Sequence, residues 1–454
     1  MKLKKQFQIL LLTFISLSIT FSSFGSAADL ASVKQTLYPY TKTVLENGLT
    51  LIVKETHSAP ITAIDVWVGT GSKNELPELA GISHFLEHML FKGTPSRPVG
   101  QIAKEIEGIG GYLGGSTTLD KTHYYIVVPS KYSNLALEVE ADVLKNSNLD
   151  PVEIDKERKV ILEEWRLKQD SPQGNLYLNF YRSVFAGTPY ANDVLGTAET
   201  LNRINRDHLL EYFQTYYQPE NIVLTVVGDV DTFEIIKRVK ELFSDFKNER
   251  PVPSQSSVTI PSFKRVKRIT LQKPVDQHYL LFGFPLPKLT IEESAAFTLM
   301  EIILGNGRSS RLYQELRETK QLVGSIGAWL DTYDTIGMFV IAAQSKDKPV
   351  SLVEKEIKSV ISRLIKNGVT IEELNRAKAI LQSELAYGME SNAKLAAFLG
   401  INELYGDLDD LLQELDAISK ITVEDIRKVA RKYLNLKGYV LASVQPEEVK
   451  DDVK

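Results

Sequence analysis

The sequence predicts an α+β protein of two related halves, each an α/β sandwich with an antiparallel sheet and helices packed on one face. Three observations predict it. Strand-like and helix-like patterns are grouped instead of alternating regularly, which argues against a repeated βαβ architecture. The order of patterns in the first part of the chain recurs in the second. Between them, NERPVPSQSSVTIPSF at 248–263 concentrates Pro and Ser and reads as a linker.

Taken in order, residues 1–27 read as a signal peptide. Lys2, Lys4 and Lys5 precede an apolar run from Phe7 to Phe24, and Gly25, Ser26, Ala27 and Ala28 offer a cleavage site. An uncleaved membrane anchor is the alternative, since the run approaches a marginal span. Removal of this segment takes away three lysines and no acid, moving the net charge from −5 to −8. The expected destination is periplasmic, extracellular or another translocated compartment, and no later run of comparable apolarity predicts a second membrane segment.

The N-terminal half, 28–247, opens with VLENGLTLIV (44–53) and ITAIDVWV (61–68), strands with Asn47–Gly48 as a turn. Helical spacing follows at Leu79–Phe91, Gly100–Ile109, Leu135–Lys145 and Ile154–Gln169. NIVLTVVGDV (221–230) is strand-like and a helix begins near Thr232. In the C-terminal half, 264–454, the strand QHYLLFGFPL precedes a helix over Glu292–Leu304. GMFVIAAQS, helices at Val350–Asn367 and Ile371–Tyr387, and a closing GYVLASVQP then echo the first half.

Composition bounds the chemistry. A chain of 454 residues with 43% hydrophobic and 24% charged residues is ordinary globular material, long enough for two or three domains. The acidic balance argues against a nucleic-acid partner, which needs basic excess against phosphate. With no Cys, disulfides, iron–sulfur clusters, thiolate metal sites and a Cys nucleophile are excluded. Any metal falls to His, Asp or Glu.

The segment AGISHFLEHMLFKGT supplies such a set. His84 and His88 stand at i and i+4 of a helix, so both imidazoles project from one face, with Glu87 beside them. This is half of a zinc site with a carboxylate placed to take a proton from water; two ordinary histidines on an amphipathic helix are the bland alternative. A third ligand fits best from IDKERKVILEEWRLKQDSP. Glu157 and Glu164 are seven apart and share a helix face, whereas Glu163 lies about 100° round. Glu164 is the favoured ligand and Glu157 an acceptor for a ligand imidazole, although a solvated acid-rich helix has the same spacing. His123, on a strand, reads as structural, and His57, His208 and His278 have no partner spacing.

H-x-x-E-H is the inverzincin arrangement. GISHFLEHMLFKGT, with Glu164 in KERKVILEE after 75 intervening residues, resembles the pitrilysin or insulinase family of zinc peptidases. The size and two-half layout are most similar to its mitochondrial-processing-peptidase branch. GGYLGGSTTLDKTHYY, GTAETLNRI, YYQPENIVLTVVGDVD and GRSSRLYQELRE extend the resemblance over nearly the whole mature chain. It implies His84, His88 and Glu164 as ligands of one Zn²⁺ per chain, Glu87 as general base and Glu157 as the carboxylate supporting a ligand imidazole. It implies a substrate strand docking on Gly114, Gly115, Ser116, Thr117 and Thr118, small peptides or unfolded polypeptides as substrates, and a homodimer or a heterodimer with a non-catalytic homologous subunit. A scaffold or substrate-presenting subunit of the same fold is the rival function, but all five motif positions are intact. Two departures stand out. Gly114–Gly115 replaces the family's usual Asn–Ala, and no Arg or Tyr occurs between Ile336 and Val353, where family members active alone or as homodimers often carry that pair.

Overall fold

The structure, a computed structural model, describes residues 31–253, 258–260 and 262–447. The predicted signal peptide lies outside the described residues, as does part of the predicted linker. The N-terminal half runs α1 (Ala31–Leu37), β1 (Thr41–Val44), β2 (Thr50–Glu55), β3 (Ile61–Val68), α2 (Ile82–Leu90), α3 (Gln101–Gly108), β4 (Tyr112–Thr117), β5 (Thr122–Pro129), α4 (Ser133–Asn146), α5 (Pro151–Asp170), α6 (Pro172–Val184), α7 (Ala198–Arg203), α8 (Arg206–Tyr216), β6 (Ile222–Gly228) and α9 (Thr232–Leu242). After a stretch whose described residues hold no helix or strand come β7 (Lys267–Lys273), β8 (His278–Pro287), α10 (Ile291–Gly305), β9 (Ser325–Thr332), β10 (Ile336–Ser345), α11 (Val350–Asn367), α12 (Ile371–Gly388), α13 (Asn392–Tyr405), α14 (Leu408–Lys420), α15 (Val423–Tyr433) and β11 (Val440–Pro446).

Two sheets result, ordered β1-β2-β6-β3-β5-β4 and β7-β11-β8-β10-β9. Apart from β1 they correspond strand for strand. Both are antiparallel except for one parallel pair each, β2 with β6 and β7 with β11. Those pairs join strands distant in sequence, so no local pattern announces them.

Each sheet packs one face on helices of its own half, as expected. Ile64 and Val66 of β3 share a core with Phe85 and Met89 of α2, Leu137 and Val143 of α4, and Val239 of α9. The opposite faces are covered by an exchange of helices. Leu395, Ala396 and Leu399 of α13 join a core with Ala63, Trp67, Val223 and Val227 of the first sheet. Leu176, Phe180 and Val184 of α6 pack on Leu281, Met338, Val340 and Val440 of the second. Close approach explains a glycine at each contact: a Cβ on Gly400 would lie 2.4 Å from Trp67, and one on Gly283 would lie 2.4 Å from Phe180. This cover on both faces is why β3 is buried along nearly its whole length and does not alternate in exposure. None of the described helices is long and apolar enough to cross a membrane.

One residue opposes this packing. Glu140 of α4 is fully buried and neither carboxylate oxygen has a hydrogen-bond partner. Burial pushes its pKa well above the ordinary 4.5, with Asp65 adding to the rise. The folded protein therefore holds a proton that the unfolded chain releases near 4.5, so stability falls as pH rises through the folded value. Glu140→Met is expected to stabilise the protein by ~1–3 kcal/mol at about pH 8, and by less at about pH 5. Thermal melts at the two pH values measure this.

Candidate metal centre

Helix α2 begins at Gly81, whose φ of +97° suits glycine, and Glu75 secures it by accepting from Gly81 N (2.7 Å) and Ser83 N (2.9 Å). Ile82, Phe85, Leu86, Met89 and Leu90 bury one side of the helix, which leaves His84, Glu87 and His88 on the other. Helix α5 faces them. Asp150 caps it by accepting from Val152 N and Glu153 N, and Pro151 occupies the first turn, where its missing N–H costs nothing.

The two helices bring the three predicted ligands together. Glu164 Oε2 lies 3.8 Å from His84 Nε2 and 3.6 Å from His88 Nε2. Among the described residues, His84, His88 and Glu164 are the one set of three or more His, Asp or Glu whose ligand atoms converge, all within 4.8 Å of one another. Tetrahedral bonds of about 2.0–2.2 Å place ligand atoms roughly 3.3–3.6 Å apart, so a small contraction fits the set to zinc. Glu163 points to solvent beside Arg166 at 3.4 Å, as the helix phase requires.

Burial and mutual charge set the protonation of this cluster, whose ligands must be deprotonated to hold a metal. Burial pulls the His84 pKa down to about 3, helped by His88 and Lys168, so the ring stays neutral with a lone pair to give. For His88 burial acts downward, but Glu157, Glu164 and Glu87 outweigh it and the net direction is up. Burial raises both Glu87 and Glu164, the former against a hydrogen bond from Thr117. Two carboxylates each pushed toward neutrality beside two imidazoles make a pocket that a divalent cation relieves.

Glu157 stands where the spacing put it: His88 Nδ1 is 3.1 Å from Glu157 Oε2, which leaves Nε2 facing Glu164. Lys92 Nζ holds the other oxygen. Lys92 is i+4 from His88, a spacing that could have flagged it. Since such carboxylates fix ring tautomer and orientation, Glu157→Ala is expected to weaken zinc binding about 10–100-fold, read by competition against a chromophoric chelator.

Beside the centre runs β4, the edge strand of its sheet. Thr117 Oγ1 donates to Glu87 Oε2 at 2.6 Å. A Cβ at Gly115 would stand 2.9 Å from Glu87 Cγ, so the strand backbone packs directly on that side chain. At Gly114 a Cβ would meet Tyr125 Oη at 2.5 Å; Tyr125 fills the room a longer side chain would take. Gly114 to Thr117 lie on the strand, whereas Thr118 falls past its end in the turn to β5, donating through Oγ1 to Lys121 O. His123 lies apart from the metal set. Its Nε2 is 2.8 Å from Asp65 Oδ2 and its ring stacks on Trp67 at 4.0 Å.

Residues 50–198 match the family model described as insulinase (peptidase family M16), and residues 203–381 match the one described as peptidase M16 inactive domain. The chain is 31% identical over 406 residues to the uncharacterized zinc protease YmxG of Bacillus subtilis, covering 88% of this chain and 97% of that one. It is 34% identical to an uncharacterized zinc protease of Rickettsia felis, over 86% and 93% of the two chains. Among solved structures, a protease from Helicobacter pylori superposes with a TM-score of 0.85 at 26% identity, covering 90% of this chain and all of that one. The periplasmic protease PqqL of Escherichia coli gives 0.76 at 19% identity, this chain spanning 48% of its length, a likeness of fold. With the H-x-x-E-H helix in its first half and a second half of the same topology, the chain belongs to the insulinase family of peptidases, M16.

Proposed function

We propose that this protein is an exported zinc metalloendopeptidase that hydrolyses peptides or unfolded polypeptides. The observation that carries the reading is the placement of Glu87 between a convergent His84–His88–Glu164 set and an edge strand. When bound, zinc supplies Lewis-acid polarisation and lowers the pKa of water toward about 7. Thr117 holds Glu87 Oε2, which leaves Oε1 to take a proton from the attacking water and return it to the leaving amine. An extended substrate adds to β4 through backbone hydrogen bonds, so the site asks for unfolded chain and little side-chain identity. Gly114 and Gly115 contribute backbone alone to that docking edge.

The absence of Arg and Tyr between Ile336 and Val353 supports work with a homologous non-catalytic subunit that supplies that pair, since a second copy of this chain would lack it too. The basic start and apolar run of residues 1–27 support export. The test is cleavage of a mixture of unstructured peptides by residues 28–454, alone and with candidate partner subunits, with and without chelator. Chelator-sensitive cleavage is the expected result, and activity of the chain alone would remove the need for a partner. Silence in every combination, from zinc-loaded folded protein, would favour the scaffold.

A further inference from the structure

The two halves meet at equivalent hairpins. By strand order, the β4–β5 hairpin of the first sheet corresponds to the β9–β10 hairpin of the second, and their tips touch. Asp334 N donates to Asp120 Oδ2 at 3.1 Å, and Tyr190 Oη donates to Asp120 Oδ1 at 2.8 Å. Lys73 Nζ bridges the tips, 2.8 Å from Asp120 Oδ1 and paired also with the Asp334 carboxylate. Lys121 Nζ lies 3.7 Å from Asp334 Oδ1 and 3.0 Å above the Tyr405 ring. The side chains of Lys73, Asp120 and Lys121 are 5%, 0% and 2% exposed and that of Asp334 is 20% exposed, so this is a largely buried ion cluster and not a surface pair.

Adhesion alone does not call for it. Tyr333 already packs on Phe185 and Tyr190 at the same junction, and buried ions carry a desolvation cost that apolar residues avoid. What the ions add is fixed geometry at a point joined to the metal centre by two short routes. Ser72 N and Lys73 N donate to Thr118 O (3.2 Å) and Leu119 O (2.9 Å), tying the lysine's own turn to the end of β4. Two residues beyond Lys73, Glu75 holds the first amides of α2.

We propose that the Lys73–Asp120–Asp334 cluster is a positioning device: through it the β9–β10 tip of the C-terminal half sets edge strand β4 against helix α2, and so sets Thr117 against Glu87. Its consequence for turnover rests on the peptidase reading above; its mechanical part does not.

Asp334→Asn tests it, removing a charge in the half without metal ligands while keeping the backbone N–H. Hydrogen exchange of residues 112–117 and 82–88 is expected to quicken at least about tenfold, with β7 and β11 unchanged. In the zinc-loaded enzyme kcat is expected to fall about tenfold, with KM held within roughly twofold and one zinc per chain retained. Leu364→Ala, a buried core change elsewhere in that half, serves as a control for general loss of stability and is expected to alter neither reading. Unchanged exchange over 112–117 and 82–88, or equal loosening by Leu364→Ala, overturns the proposal. If Asp334→Asn does not fold, Asp334→Glu, which moves the charge by one methylene, is read in the same way. Wild-type protein that cleaves nothing would count against the peptidase reading, while the exchange data would still decide the clamp.

Discussion

Glu87→Gln is expected to keep one zinc per chain and to cleave unstructured peptides on the order of 10²–10⁴ times more slowly than the parent. The substitution preserves shape, and an amide oxygen still accepts from Thr117 Oγ1, which now lies 2.6 Å from the carboxylate. What disappears is the capacity to accept a proton. Because Glu87 stands beside His84, His88 and Glu164 without being one of the three convergent ligands, metal retention and catalysis should separate. Metal analysis and peptide cleavage on one preparation check both; full activity in the variant would remove Glu87 from the chemistry.

Glu164→Ala is expected to do the reverse and empty the site, with zinc falling far below one per chain after dialysis and cleavage falling to background. Two imidazoles alone do not make a three-ligand catalytic centre. Glu163→Ala is the matched control one position away. Glu163 is exposed and pairs only weakly with Arg166, so its loss should change zinc content and activity little. The two variants together test the helix-phase argument, since a site that tolerated Glu164→Ala and failed with Glu163→Ala would have its helix rotated.

How much of this was legible from sequence depends on distance along the chain. The metal set was legible because its parts are local: i,i+4 on α2 and i,i+7 on α5 are fixed by helix geometry, and only their meeting needed the fold. The strands around Leu51, Ile64 and Val226 were legible from their apolar runs. The exchange of α6 and α13 was not. In α13, NAKLAAFLGINELY is apolar around much of its circumference, which signals burial but not which sheet buries it. Nor could periodicity reveal the parallel β2–β6 pair, whose strands are separated by most of the N-terminal half. Glu75 and Lys73 sit in no local pattern that singles them out, and they matter through partners at α2, Asp120 and Asp334. By sequence Thr118 groups with the substrate-docking positions, yet it lies past the end of β4 and its side chain closes the turn that follows.

The measurement that reaches the centre most directly is diffraction from zinc-loaded crystals at energies on either side of the zinc absorption edge. The arrangement predicts one anomalous peak per chain, about 2.0–2.2 Å from His84 Nε2, His88 Nε2 and a Glu164 oxygen. Glu87 should lie beside it and outside bonding distance. No peak there, or a peak held by other residues, would contradict the assignment of this site as a zinc centre.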